Sequence, residues 1–286
     1  MKIKEIILLI STISIISCKK YYDYNANYDG NKLVVNGIIE ANEGVNVVLS
    51  QSQSPSGNIP LQGFNIKNGR VWLYQNDTLV AEMTRNSKGK YTIEQFKPKE
   101  GKVYRVKAVA ENLDTVESEP VIMPQAPTIN SYILKKDDSY AINQSRNAAF
   151  FSVKIEDNLS DKNYYLLDSY VQIRSDSIYA RYLKGVPNDY ESCEVSSFTN
   201  IVFFTDKCFN GSNFTIDYFS EHNNKGVLKV QLSSIDKFFF NYLRNVEQPT
   251  GLELAFAEPK QVVSNIKNGY GVFVAKNTVT FSLKLD

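Results

Sequence analysis

Cys18 is the residue whose surroundings most clearly specify a chemical modification. Lys2 and Lys4 precede an apolar run over 6–16, which leads into the letters IISC. A basic start and a short apolar run are typical of an export signal, and the run is shorter than the about 20 residues that span a bilayer. The letters IISC resemble a bacterial lipobox, in which the chain is cut before the cysteine and the thiol receives acyl chains such as palmitate. We therefore predict a signal peptide over 1–17 and lipidation of Cys18. An ordinary secretory signal and a buried segment with an incidental thiol are the alternatives.

Cys193 and Cys208 form an even pair once Cys18 carries lipid. In an exported protein such a pair favours a disulfide. Closing a loop of about 15 residues would stabilise the fold by about 3 kcal/mol. Metal ligation or a reactive thiol is one alternative, although neither a CxxC spacing nor a nearby histidine supports ligation. Two unpaired structural thiols are the other.

The acidic and basic side chains form no recognisable catalytic set. His222, the one histidine, lies in the polar stretch SEHNNKG, where a solvated turn is expected. The sequence offers no nucleophile and orienting group for it, as Ser-His-Asp chemistry requires. Glu156, Asp157 and Asp161 lie close together, which allows a weak cation loop as an alternative to a solvated loop. We predict no catalytic residues, no metal, no cofactor and no enzymatic activity.

The charge balance excludes one class of partner. The whole chain has 32 Lys and Arg against 31 Asp and Glu, and these numbers become equal when Lys2, Lys4 and Glu5 leave with 1–17. A neutral chain lacks the basic surface that nucleic acid requires. The 18 tyrosines and 16 phenylalanines suit a strand-rich protein.

Alternating apolar residues predict that β-strands position these groups. Residues 18–31 lack apolar periodicity and are predicted to form a tether. Over 32–124, short alternating runs separated by turns predict a β-sandwich, similar in element order to carboxypeptidase-regulatory or prealbumin-like modules. Closely spaced prolines in PQAPTI indicate a boundary, so a second β-rich domain is predicted over 125–286. The expected fold class is mainly β.

One amphipathic helix interrupts the second domain. The segment SSIDKFFFNYLRNVEQ places apolar residues at helical spacing from Ile235 to Val246. Ser233 or Ser234 is predicted as the N-cap, with Asp236 in the first turn near the positive end of the helix dipole. The main interpretation is a core helix laid on a sheet, and the alternative is a partner-binding helix.

The segment NIKNGYGVF near the end of the chain has two interpretations. Asn268 and Gly269 form a tight-turn signal, and Gly271 allows a bulge or a close backbone approach where a strand begins. The segment is then a structural turn. The alternative is that Tyr270 and Phe273 contact a ligand or a partner.

Four ordered motifs carry a resemblance to a known family. They are NYYLLDSYV at 163–171, FFTDKCFNG at 203–211, LSSIDKFFFNYLRNVE at 232–247 and AFAEPKQVVSNIKNGYGVF at 255–273. Together they resemble a family of Bacteroidota outer-membrane lipoproteins labelled only as a domain of unknown function, whose pattern ends in FxEP…SNIxNGxGxF. The match covers nearly the whole mature chain. Ala255 departs from the proline that usually opens the last motif.

The resemblance implies a location more than a chemistry. Genes of this family commonly lie beside those of TonB-dependent receptors, which implies an accessory lipoprotein at the cell surface. Surface lipoproteins of Bacteroidota often carry acidic residues soon after the lipidated cysteine. This chain has Lys19 and Lys20 there, followed by only Asp23 before Asp29. The periplasmic face therefore stays an alternative.

The sequence leads to three functional hypotheses. The first is a lipid-anchored outer-membrane protein that acts by binding, as an accessory component of a TonB-dependent transport system. The second is a free-standing surface lipoprotein that captures a glycan or a peptide on tyrosine and phenylalanine side chains. The third is a hydrolase that uses two carboxylates.

Overall fold

The structure is a computed structural model in which β-strands predominate. It describes residues 30–54, 66–137, 147–157, 162–174, 177–180, 183–185, 193–198, 201–222, 225–246 and 263–285. The strands are β1 (Leu33–Glu40), β2 (Gly44–Gln51), β3 (Arg70–Gln75), β4 (Thr78–Glu82), β5 (Thr84–Arg85), β6 (Tyr91–Thr92), β7 (Val103–Val109), β8 (Val116–Ser118), β9 (Val121–Ile122), β10 (Thr128–Lys136), β11 (Asn147–Glu156), β12 (Tyr164–Arg174), β13 (Ser177–Ala180), β14 (Leu183–Gly185), β15 (Ser196–Phe198), β16 (Ile201–Thr205), β17 (Asn213–His222), β18 (Gly226–Ile235), β19 (Ile266–Lys267) and β20 (Tyr270–Leu285). The helical elements of the described residues are a 3-10 helix over Asp206–Cys208 and the α-helix α1 over Lys237–Val246.

The strands form three sheets. The largest has the order β15-β16-β12-β18-β20-β1-β2-β6-β5, with β13 attached to β12. A sheet in the order β19-β8-β7-β3-β4, with β9 attached to β7, packs on the β1 part of the large sheet. A sheet in the order β10-β11-β17-β14 packs on the β12 part. The result is an N-terminal sandwich and a C-terminal sandwich that are built on one continuous sheet.

Alternating burial explains why the first segments form strands. In β1, Leu33 and Val35 are buried, whereas Val34 is half-buried and Asn36 is exposed. β7 alternates in the same way. Each buried aliphatic side chain contributes about 1.5–3 kcal/mol, so these strands are held by the face that they bury. The core of the N-terminal sandwich includes Leu33, Val35, Val47, Leu49, Val71, Leu73, Tyr104, Val106 and Phe273.

The C-terminal sandwich has a core rich in aromatic side chains. Tyr165 and Phe204 stack with their ring centroids 5.3 Å apart, and Phe151 contacts Phe281 at 5.1 Å. Such pairs add stability beyond the area that they bury. The core includes Phe151, Val153, Ile155, Tyr165, Leu167, Phe204, Ile216, Val230, Leu232 and Phe281.

The 16-residue strand β20 belongs to both sandwiches. Tyr270–Lys276 pair in parallel with Val34–Glu40 of β1. Lys276–Leu285 pair antiparallel with Gly226–Ile235 of β18. Lys276 therefore has a strand partner on each side and marks the point where one sandwich ends and the other begins.

Helix α1 lies on the face of the large sheet opposite the aromatic core. Its buried residues Phe240 and Leu243 pack against Leu166, Phe203 and Ile235. This packing supports the interpretation of a core helix.

The cap predicted for this helix is wrong. Ser233 and Ser234 are still part of β18, because they pair with Thr278 and Asn277 in the ladder. Asp236 is the N-cap instead, and its Oδ1 accepts the Phe239 N–H at 3.0 Å.

The predicted fold class is confirmed, since the described residues form a β-sandwich followed by β-rich structure with one α-helix. The domain boundary between 124 and 125 stays a prediction. Both β19 and the first half of β20 pair with strands of the N-terminal sandwich, although they come late in the chain. Within the described residues, no helix has the length and apolar character needed to cross a membrane.

Candidate functional site

A groove of about 940 Å³ lies where the two sandwiches meet. One wall is the segment 119–125, which contains β9 and leads from β8 towards β10 of the C-terminal sandwich. The other walls are 162–164, the residues around the start of α1, and Asn265. Pockets at such junctions are frequent binding sites. We call it the junction groove.

Backbone and side-chain hydrogen bonds hold the first wall in place. The Glu119 N–H donates to the Asn265 carbonyl at 2.7 Å, and the Gly101 N–H donates to the Met123 carbonyl at 2.9 Å. The Asn277 amide of β20 donates to the Pro124 carbonyl at 3.1 Å. The wall is therefore tied to the strand that both sandwiches share.

Buried carboxylates hold the second wall. The Asn163 N–H donates to Asp206 Oδ2 at 2.6 Å, and the Asn163 amide donates to Asp157 Oδ1 at 3.0 Å. Asp157 also accepts the Tyr165 hydroxyl at 2.9 Å and the Gly211 N–H at 2.9 Å. Burial raises the pKa of Asp206, and the Asn163 N–H opposes that rise. These carboxylates position the chain around the groove.

These bonds also decide part of the cation-loop hypothesis. Asp157 is 8% exposed, so a solvated loop is wrong for this residue, because donors surround its carboxylate. Asp161 lies outside the described residues. Among the described residues, no group of three or more His, Cys, Asp or Glu is placed to hold a metal ion.

Aromatic and charged side chains line the groove together. The Tyr164 ring lies 5.1 Å from the Phe240 ring, and the Lys162 ammonium lies 5.5 Å from the Tyr164 centroid. Burial raises the pKa of the Tyr164 phenol, and the carboxylates of Asp206 and Glu194 raise it further. The phenol thus stays protonated and can donate a hydrogen bond.

Among the described residues two carboxylates line the groove, and one of them is already engaged. Asp236 caps α1 with Oδ1, and its Oδ2 accepts the Ala275 N–H at 2.5 Å. Burial raises its pKa, and these backbone donors oppose the rise. Glu119 is the other carboxylate and is exposed. The arrangement suits stacking and hydrogen bonding of a ligand, and a carboxylate-based hydrolase stays the remote alternative to the predicted absence of catalysis.

The binding residues predicted from NIKNGYGVF do not line this groove. Tyr270 is 43% exposed, and the Lys32 ammonium lies 5.3 Å from its ring centroid. Tyr270 therefore stays a predicted contact. Phe273 is 0% exposed and belongs to the core of the N-terminal sandwich. The prediction that Phe273 contacts a ligand is wrong, because no part of its side chain reaches the surface.

The predicted disulfide is confirmed. Cys193 and Cys208 are bonded, with their Cα atoms 4.8 Å apart. The Thr205 hydroxyl donates to the Cys193 carbonyl at 3.1 Å, which fastens the bridge to the end of β16. Cys18 lies outside the described residues. His222 is the last residue of β17, and residues 223–224 of the predicted turn lie outside the described residues.

A second polar cluster lies near the crossing at Lys276. Its ammonium is 3.2 Å from Glu40 Oε2, and Glu40 Oε1 accepts the Thr278 hydroxyl at 2.6 Å. Thr278 in turn lies 2.9 Å from Ser233. Asp168 joins this cluster electrostatically: burial raises its pKa to about 6, Lys276 opposes the rise and Glu40 adds to it.

Replacing Asp168 by asparagine is expected to stabilise the protein by about 1–3 kcal/mol at about pH 7.5. The folded pKa is about 6 against an ordinary value of 3.8, so the ionised carboxylate lowers stability as the pH rises through that window. The gain should shrink towards zero below about pH 3, where the side chain is protonated in both states. Urea unfolding at several pH values measures it. Replacing the exposed Asp114 by asparagine is the control, and an equal gain there would contradict the cause given.

The groove itself could not be recognised in the sequence. Its walls come from 119–125, 162–164 and 234–241, which are far apart in the chain. The only local signal was the proline-rich boundary, which suggested a junction between two units. Nothing in the sequence placed the start of α1 against that junction.

Residues 19–282 match a family model described as Domain of unknown function (DUF4249). No curated protein matches the chain. The crystal structure of BcpA, the major pilin subunit of Bacillus cereus, aligns at 10% identity with a TM-score of 0.22, covering 72% of this chain and 65% of BcpA. The RrgB pilus protein from Streptococcus pneumoniae aligns at 7% identity with a TM-score of 0.21, covering 71% of this chain and 48% of RrgB. The chain spans less than two thirds of either pilus protein, and alignments at these TM-scores carry no information about function.

Proposed function

The chain belongs to the family described as Domain of unknown function (DUF4249), whose model its residues 19–282 match, and since that description names no activity, we propose the function from the junction groove. It is a lipid-anchored binding protein of the outer membrane in a bacterium of the Bacteroidota. It acts by binding rather than by catalysis, as an accessory component of a TonB-dependent transport system. The observation that carries the proposal is the groove itself, in which aromatic, amide and charged side chains converge between two sandwiches.

The lining of the groove supports recognition of a polar surface. Tyr164 and Phe238 supply aromatic area, and Asn241 supplies an amide on the exposed side of α1. Lys162 and Lys237 supply positive charge at the rim. Aromatic anchors surrounded by polar groups are typical of sites that bind protein partners or polar ligands.

The position of the groove supports presentation to a partner above the membrane. The first strand begins at Leu33, so the stretch from Cys18 can extend by about 50 Å. Leu33 lies at the end of the N-terminal sandwich where Tyr270 begins β20, whereas the groove lies near Ile235 and Asp236, beside Lys276. The rise of β20 between these ends is about 20 Å. The groove therefore lies away from the lipid end of the chain.

Affinity purification from detergent-solubilised native membranes tests the proposal. The tagged protein is expected to recover a β-barrel receptor. Asn241→Arg should reduce that recovery about tenfold, because the new side chain fills the groove and adds a charge. The matched control is Ser87→Arg, which makes the same charge change in an exposed turn. Failure to recover a barrel with the unaltered protein would overturn the role in transport.

The anchor is tested in the same cells. Cys18→Ser is expected to release the protein into the soluble fraction and to remove the acyl mass from the intact chain. A product that stays membrane-bound, with a mass that never contained acyl groups, would contradict the proposed location.

Capture of a glycan or a peptide without a fixed partner is the second candidate. The observation that favours it is the aromatic lining by Tyr164 and Phe238, which can stack on a sugar ring or a side chain. Binding of the isolated mature protein to a glycan or peptide array, lost in Asn241→Arg and kept in Ser87→Arg, would favour this candidate over the first.

A further inference from the structure

Strand β10 is an edge whose outer side has no strand partner in the described part of the chain. It pairs with β11 and, in the sheet order β10-β11-β17-β14, it is terminal. The Asp137 N–H donates to the Ala148 carbonyl of β11 at 2.8 Å. Backbone groups alternate in direction along a strand, so the N–H and C=O of Tyr132 and Leu134 point away from β11.

The centre of β10 is both apolar and exposed. Tyr132 is 56% exposed and Ile133 is 55% exposed. Ser131 before them is exposed as well, and so is Lys135, which follows the half-buried Leu134. Long exposed edges of this kind are pairing sites for another chain, and proteins usually protect them with charge, proline or bulges.

Here the protection is confined to the two ends of the strand. A bulge interrupts the register between Ile129 and Ser131. Lysines follow at 135 and 136. The residues between them have neither a bulge nor a charged side chain. The Tyr132 ring contacts Phe281 of β20 with centroids 4.6 Å apart, so the open centre is already held in strand geometry. A strand that is already ordered loses little entropy when it binds.

We propose that β10 accepts an extended segment of a partner protein as an added strand of the C-terminal sandwich. The segment hydrogen-bonds to the backbone of Tyr132 and Leu134, which supplies affinity, and places an apolar side chain beside Ile133, which supplies specificity.

Charge specifies the partner further. β10 contains no acidic residue, and Lys135 lies at its C-terminal end, with its ammonium 5.6 Å from the Phe150 centroid. The exposed Glu156 lies opposite Thr128 at the other end. The partner segment therefore carries a carboxylate at the Lys135 end and none at the Glu156 end. This surface is separate from the junction groove, so the inference goes beyond the proposed function.

Three nine-residue peptides test the inference with the full mature chain in detergent. The first carries glutamate at one end only and alternates valine and threonine elsewhere, the second replaces glutamate by lysine, and the third carries the first sequence with N-methyl groups on the residues whose N–H would face β10. The first peptide is expected to slow amide exchange at Tyr132 and Leu134 and to bind about tenfold more tightly than the second. The third should not bind, because N-methylation removes the donors that strand pairing needs.

Charge reversal at one site completes the test. Lys135→Glu is expected to reverse the preference between the glutamate and lysine peptides, whereas Lys88→Glu, in an exposed turn of the N-terminal sandwich, leaves it unchanged. Equal binding of the N-methylated peptide would overturn the inference, since charge alone would then explain the binding. So would peptide-free protection of Tyr132 and Leu134 that rises with protein concentration, because a second copy of the chain would then be the occupant.

Discussion

Replacing Gly271 by alanine is expected to remove most of the folded protein, with a loss of more than about 4 kcal/mol in the free energy of unfolding. Gly271 has φ +107°, where side chains are strained, and a Cβ there would overlap the Val35 carbonyl oxygen and lie 2.8 Å from the carbonyl carbon. Val35 pairs with Gly271 in the parallel ladder between β1 and β20, and its side chain is buried in the core. Neither strand can move aside without opening that core. Urea unfolding followed by far-ultraviolet circular dichroism measures the loss.

Gly101→Ala is the matched control for this effect. Gly101 also has a positive φ of +70°, but a Cβ there would meet nothing within 4 Å. The control therefore isolates the backbone strain, which costs about 1–2 kcal/mol. If both variants lost the same stability, close approach to Val35 would not be the reason for glycine at position 271.

Strands β1 and β7 of the N-terminal sandwich could be predicted because one face of each of them is buried. In β1 and β7 the buried residues alternate with accessible ones, and this period of two is visible in the sequence. The turn at Asn268 and Gly269 was predictable for a similar reason, since Asn-Gly favours the positive φ that Asn268 adopts at 62°.

The role of β20 could not be predicted in the same way. Val272, Phe273, Val274 and Ala275 are all buried, so both faces of the strand are covered and the alternation that would assign a face is missing. Its parallel pairing joins residues near 35 to residues near 271. Sequence patterns describe neighbours in the chain, and they contain no information on a contact over that separation. For this reason Phe273 was predicted as a binding residue when it is a core residue.

The N-cap of α1 was predicted wrongly because the strand pairing between β18 and β20 competes with helix capping for the two serines. Serine favours an N-cap by local preference, but Ser233 and Ser234 continue the pairing of β18 with β20 up to Ile235. The helix begins only after the ladder ends, and Asp236 is then the residue in the cap position. The junction groove depends on the same crossing, so it could be placed only once the pairing of β20 was known.

Replacing Asn265 by alanine is expected to cost about 2–5 kcal/mol, because it leaves two buried backbone groups of Phe273 without partners. The Asn265 amide donates to the Phe273 carbonyl at 2.7 Å, and its Oδ1 accepts the Phe273 N–H at 2.9 Å. The side chain thus takes the place of a neighbouring strand along the half of β20 that β18 does not reach. Asn265 is 3% exposed, so water cannot substitute for it. Thermal and urea unfolding measure the loss.

Asn265→Asp separates this hydrogen-bond explanation from a packing explanation, because it keeps the shape of the side chain. An ionised carboxylate can still accept the Phe273 N–H, but it repels the Phe273 carbonyl, whereas a protonated carboxyl can donate to it. Burial beside a carbonyl should therefore raise the folded pKa of the new aspartate above its unfolded value of about 3.9. Relative to the unaltered protein, the variant should be nearly as stable below about pH 4 and should lose stability as the pH rises through the folded pKa. A loss that is the same at all pH values would show that Asn265 acts through its packing and not through its paired bonds with Phe273.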